Sequence, residues 1–188
     1  MLDNNDKVQQ RDISAGRDNI GRDQNVTIHH SQRKNQIEGW LERLAREIDE
    51  KPEFRDFVDS LQYYLQKFQY DDVEGLENKL NHSGRGDQYR RALRKKEAFA
   101  KLLEEWRSFP AAQEIIAYFL AKIDGCFEAH IEPILETATR DDIDQIIANK
   151  LVDPVLEEMR TGPFMLNSMH VNGMVYWLAE QCYIRWHK

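Results

Sequence analysis

Apolar residues recur at two different periods along this chain, and the change falls near His30. From residue 31 onward they return every third or fourth position, which is the signature of amphipathic helices. Ile37, Trp40, Leu41, Leu44, Ala45 and Ile48 predict a first helix, with Ser31 or Asn35 placed to cap it. Lys51-Pro52 ends that pattern. A second helix is predicted over about 53–69 from Phe54, Phe57, Val58, Leu61, Tyr64, Leu65 and Phe68. Asp71 or Asp72 is a candidate cap for a short third helix through Leu80, before the break at Asn81-His82-Ser83-Gly84-Arg85-Gly86. A fourth helix over about 87–108 carries Tyr89, Leu93, Phe99, Leu102, Leu103 and Trp106. Pro110 suits the start of a fifth, whose stripe from Ile115 to Leu135 is kinked or ended by Pro133. Thr139-Arg-Asp-Asp predicts a capped start for the stripe of Ile143, Ile146, Ile147 and Leu151. Asp153-Pro154 reads as the N-cap and first position of a further short helix to Met159. A last helix is predicted over about 166–186. The expected fold is mainly α, six to eight helices over residues 31–188.

Residues 1–30 follow a different pattern. They hold no Phe, Trp or Tyr, and Arg-Asp pairs begin at 11, 17 and 22, each followed by a β-branched residue. Gly16 and Gly21 supply turns, and Val26-Thr27-Ile28 alternates as a half-buried strand does. Two or three short strands are expected. Their apolar set is too small for an isolated hairpin to be stable in water. Such a unit is a tail, docks on the helical body, or pools its strands with other copies of the chain. We favour the last, because alternating Arg and Asp pair opposite charges between neighbouring strands. Ile13, Ile20, Val26 and Ile28 then form the shared apolar face, and Arg17, Asp18, Arg22 and Asp23 the charge ladder between copies.

Charge and composition narrow the function classes. The 188 residues include 33 acidic and 26 basic side chains, a formal charge of −7, so the chain as a whole is no general polyanion binder. One run is locally basic. Arg85, Arg90, Arg91, Arg94, Lys95 and Lys96 lie within twelve positions, with Tyr89 beside them. On a helix Arg90 and Arg94 share a face, as do Arg91 and Lys95. The run is either a phosphate-contacting surface, with Tyr89 stacking a base, or a polar face meeting acidic helices or a protein partner. The stretch Pro163–Ala179 is broken by Asn167, Ser168, His170 and Asn172, short of the about 20 apolar residues that cross a bilayer. It is expected to be a core helix, with no membrane association.

No cofactor, metal or catalytic site is expected. Gly84-Arg85-Gly86 lacks the spacing of a phosphate-binding loop. His29-His30 point to opposite faces of one strand, and Glu128-Ala129-His130 misses the spacing of a di-iron bundle. Cys126 and Cys182 sit on apolar helical faces and read as small core residues. Two cysteines, with a polar MLDNNDKVQQ start, point to a reducing cytoplasmic setting.

The run DISAGRDNIGRDQNVTIHH, Asp12 to His30, resembles the short Gly-Arg-Asp repeat leaders of bacterial conflict-system proteins. These include signalling NTPase proteins and components of ABC three-component defence systems. Residues 31–188 are loosely similar to the helical C-terminal regions of those proteins. The resemblance implies an association role in a bacterial defence or signalling assembly, and it carries over no catalytic residue. The expectation is a non-enzymatic homo-oligomeric adaptor that binds a protein partner through its helical body. The alternative is a nucleic-acid-binding regulator using residues 85–96.

Overall fold

Ala111, Ala112, Gln113, Ile115, Ile116, Ala117, Phe119 and Leu120 are all buried, and on one helix they cover well over half of its circumference. A helix buried over so much of its girth has to be enclosed by other elements. In the structure, a computed structural model, this is α5 (Pro110–His130), with α1 (Gln36–Glu50), α2 (Asp59–Leu65) and α8 (Ser168–Glu180) packed against it. The structure describes residues 35–50, 56–68, 72–160 and 162–186. The remaining helices are α3 (Leu76–His82), α4 (Tyr89–Glu105), α6 (Arg140–Ile146) and α7 (Asp153–Glu158). Among the described residues there is no strand, so the helical body stands as expected. The strands expected within residues 1–30, and with them the self-association face, lie outside the described residues.

Local sequence sets several of the helix ends. Thr139 and Asp142 form a reciprocal capping box: the Asp142 amide donates to Thr139 Oγ1 at 3.2 Å, and the Thr139 amide to Asp142 Oδ2 at 3.1 Å. Asn167 caps α8, its Oδ1 accepting from the His170 amide at 3.1 Å. Pro133 ends α5 as anticipated, and the chain passes into a 3₁₀ turn at Glu132–Ile134. Pro163–Ala179 supplies a core helix, with Val171, Met174, Leu178 and Ala179 buried.

Other ends are set by distant side chains, and there the expectations need correction. The second helix starts at Asp59 rather than 53, because Val58 is extended and gives its amide to Oε1 of the buried Gln113 at 2.6 Å. The third helix begins at Leu76, whose amide donates to Glu180 Oε2 of α8 at 3.1 Å; Asp72 does not cap it, and Asp71 lies outside the described residues. Glu47, not Ala45, faces inward from α1, and its Oε2 accepts from the Ala111 amide at 3.0 Å. A carboxylate placed there meets the positive end of the α5 dipole. The short helix expected from Asp153-Pro154 is α7, but Asp153 does not cap it from a loop: α6, a π-helical segment (Ile147–Val152) and α7 run on as one rod. Pro154 has no amide for the carbonyl four residues back. That carbonyl, of Lys150, accepts from the Cys126 thiol of α5 at 3.6 Å instead, and the wider π turn accommodates the change. The last helix stops at Glu180, with Cys182 left-handed at φ +66 and the Tyr183 amide turned back to the Leu178 carbonyl at 2.9 Å. Ile184 and Trp186 are still buried, the former held through its carbonyl by Nζ of the buried Lys79 at 3.2 Å.

α4 lies along α8 in the most extensive helix pairing of the body. Gly173 permits it. A β-carbon there would stand 2.8 Å from Phe99 Cβ and inside contact distance of the Lys95 carbonyl. Gly173→Ala should therefore lower stability by about 2–3 kcal/mol, the cost of overpacking a filled contact, in urea unfolding. Gly125→Ala, in open space on α5, should raise it by about 0.5–1 kcal/mol through helix propensity.

Burial, helped by the charges of Glu128 and Glu132, pushes Asp124 of α5 up from 3.8 to about 6. The folded state thus holds this proton more tightly than the unfolded chain. The stabilisation is complete below pH 3.8 and is lost as pH rises through about 6. Asp124→Asn should flatten the pH–stability curve between 4 and 6.5. At pH 7.5 it should add about 1 kcal/mol, allowing for solvent screening at a half-buried site.

Candidate functional site

The basic run of residues 85–96 is divided by the helix that carries it. Arg85 precedes α4 and turns inward, 3% exposed. Its Nη1 donates to Asp144 Oδ1 of α6 at 2.5 Å and its Nη2 to the Arg140 carbonyl at 3.0 Å. Its guanidinium also stands 5.1 Å above the Trp186 ring. Arg140 in turn forms a two-pronged pair with Asp87, at 3.0 and 2.9 Å. Hydrogen bonding to Arg140 holds the Asp87 carboxyl below its usual range. Tyr89 is partly buried and packs on the core. Lys96 pairs with Glu180 at 3.3 Å. Arg90, Arg91 and Arg94 are exposed, and none forms an ion pair with the described residues.

Arg91 and Lys95, one turn apart, line a cleft of about 380 Å³ between α4, the π-containing rod and α8. Ser168, Asn172 and Tyr176, spaced by four on α8, form the facing wall, and Ile147, Ala148 and Val152 of the π segment form an apolar side. Lys95 Nζ donates to Asn172 Oδ1 at 3.3 Å and lies 5.7 Å from the Tyr176 ring centre. Asn172 is oriented by its own Nδ2, which donates to the Ser168 carbonyl at 2.7 Å. Burial draws the Lys95 ammonium below its ordinary range; Asp144 opposes this and the Arg91 charge adds to it. Asp144 also borders the cleft, but its charge is already matched by Arg85. The cleft therefore holds positive charge in excess, with amide and hydroxyl groups around it.

The sequence pointed to Arg91 and Lys95 but not to their partners. A polar stripe at 168, 172 and 176 on an otherwise apolar helix was the available signal for the α8 wall. Gln88 stands three residues before Arg91 and shares its side of the chain, whereas nothing local marks Asp144, which reaches the cleft through tertiary packing. Of the residues expected to join copies, Ile13, Arg17, Asp18, Ile20, Arg22, Asp23, Val26 and Ile28 all lie outside the described residues. Among the described residues no three His, Cys, Asp or Glu side chains gather as a metal site, and no helix is long and apolar enough to cross a membrane. Cys182 is buried; Cys126 is half-buried, and burial pushes its thiol up.

A helical domain built on α5, with an α4–α8 pair flanking a polar cleft, is the class that the fold defines. The pattern of one family, C-terminal domain 9 (CTD9) of the ABC three-component (ABC-3C) systems, matches residues 75–186, more than half of the chain. The protein belongs to that family, and so to the components of a bacterial conflict system. The match spans α3 to the segment after α8 and falls on the helical body rather than on the Gly-Arg-Asp leader. No curated protein and no solved structure matches the chain.

The division of the basic run is testable. Arg85→Ala removes a buried cation from three partners and should cost about 2–3 kcal/mol. Arg90→Ala, on the exposed face, should stay within about 0.5 kcal/mol in the same denaturation assay.

Proposed function

We propose that this protein is a non-enzymatic assembly component of its conflict system. In this reading the N-terminal repeat brings copies together, and the helical body binds another protein of the system. The observation that carries the reading is membership of the CTD9 family, a domain of multi-component assemblies, through residues 75–186. The exposed row of Arg90, Arg91 and Arg94 supports it. On a chain of net charge −7, cations without ion pairs among the described residues form a local contrast suited to an acidic partner surface.

The same arginines keep a second reading in view, binding to the phosphate backbone of a nucleic acid. The packing of Tyr89 on the core favours the protein partner, because it withdraws the aromatic face on which a base would stack.

Light scattering after size-exclusion chromatography separates these ideas. Full-length protein should be oligomeric, and a chain starting at Ser31 should be a smaller, folded helical species. An unchanged molar mass per particle on truncation overturns the assembly role of the leader. Replacing Arg90 and Arg94 by Glu should weaken binding to the other proteins of the system while leaving the oligomeric state unchanged. Salt-dependent DNA or RNA binding by full-length protein, lost in that variant, would establish the nucleic-acid reading instead.

A further inference from the structure

The cleft between α4, the π-containing rod and α8 has features that neither an assembly role nor an outer docking face requires. Its two cations come from one face of α4, while the arginines of the outer row that do not line it, Arg90 and Arg94, lie elsewhere on that helix. The acids within reach are spent: Asp144 is paired with Arg85 at 2.5 Å, and Asp87, which feels the Arg91 charge, is paired with Arg140 at 2.9 Å, so Arg91 and Lys95 are left in excess. Lys95 is partly withdrawn from water, which strengthens its attraction for any anion that enters. Asn172 and Ser168 add donors, and Ser168 opens α8, so the positive end of that thirteen-residue helix contributes to the same field.

We propose that this cleft is a binding site for a phosphate group, taking inorganic phosphate or a small phosphate monoester. Arg91 is the principal ligand to the phosphate oxygens, because its planar guanidinium offers two parallel donors and has no ion pair among the described residues. Lys95 supplies the second charge by turning from Asn172. A volume of about 380 Å³ leaves room beside the phosphate for a small organic body. Ile147, Ala148 and Val152 would receive that body. A stacked nucleobase is disfavoured. Tyr176 has Lys95 over its ring and lies parallel to Trp186, at 17° and 6.2 Å between centres, so its faces are occupied. The π segment is part of the fit, since the wider turn that Pro154 imposes shapes the apolar wall.

The test is isothermal titration of the full-length protein with ribose 5-phosphate and with inorganic phosphate, at constant ionic strength. Saturable one-site binding is expected for at least one of them, with Arg91→Gln weakening it about tenfold or more and Arg90→Gln leaving it unchanged. Tighter binding of ribose 5-phosphate assigns the site to a phosphate monoester; equal affinities assign it to free phosphate. Lys95→Gln should weaken binding as well, but its half-buried position makes Arg91→Gln the deciding variant. No saturable binding of either probe, or equal losses in Arg91→Gln and Arg90→Gln, overturns the proposal. Neither result bears on the assembly reading, whose readout is molar mass.

Discussion

The contact that the rest of the body depends on is the close approach of α8 to α4 at Gly173. With no β-carbon there, the two backbones meet at the Lys95 carbonyl and Phe99. This brings the apolar face of α8 onto Phe99 and sets the Trp177 ring edge-on to it, with 5.6 Å between centres and 77° between planes. It also sets the separation of two polar rows. Arg91 and Lys95 on one helix and Ser168, Asn172 and Tyr176 on the other run along the edge of the same seam. The residue whose carbonyl Gly173 touches is the one whose ammonium enters the cleft. Packing and site geometry are thus coupled at a single residue, and a wider helix pair would separate Lys95 from Asn172 as surely as it would open the core.

The same economy appears where helices end. α6 and α8 have a local side-chain cap of the ordinary kind, and at the start of α1 the Asn35 amide donates to Glu38 Oε2 at 3.1 Å. α3 and α5 are preceded by Gly75 and Phe109, which offer no side-chain acceptor, and each receives a carboxylate from another helix: Glu180 and Glu47. Glu180 also pairs with Lys96 of α4, so one carboxylate ties α3, α4 and α8 together. Buried carboxylates are costly unless their oxygens are satisfied. Glu47 is buried and Glu180 partly so, and each is placed against a helix N-terminus and a cation, Arg43 for Glu47 and Lys96 for Glu180. The body is therefore held by apolar packing around α5 and by charged side chains that act as long-range caps.

This explains what was legible in the sequence. Periodicity reported the helices because burial of one face requires it, and the Thr139 box was readable because all of its partners lie within four residues. The π segment was not. Asp153-Pro154 has the form of an isolated helix start, and the Lys150 carbonyl that Pro154 leaves without its amide accepts from the Cys126 thiol, 24 positions away. The late start of the second helix has the same origin, in a buried glutamine 55 positions from Val58. For the candidate site, half of the cleft was visible as a charge pattern on one helix. The other half is visible only once α8 is laid against it.

The basic run shows how one stretch of sequence serves several purposes. Successive residues on a helix are turned by about 100°. Six cations in twelve positions cannot therefore form a single patch once a body packs on one side. Arg85, before the helix, is buried as the counterion of Asp144 and the platform above Trp186. Lys96 is drawn toward Glu180 and the helix ends it serves. Arg91 and Lys95 enter the cleft, and Arg90 and Arg94 face outward. Read as a sum, the run suggests one polyanion-binding surface. Read by direction, it is a structural strut, a pocket and an outer face. On the proposed reading the outer face is the part that meets a protein partner, since two arginines on a chain of net charge −7 offer few phosphate contacts to a long polyanion. They are enough to orient one acidic patch on a folded partner, where shape and apolar contact supply the rest of the affinity.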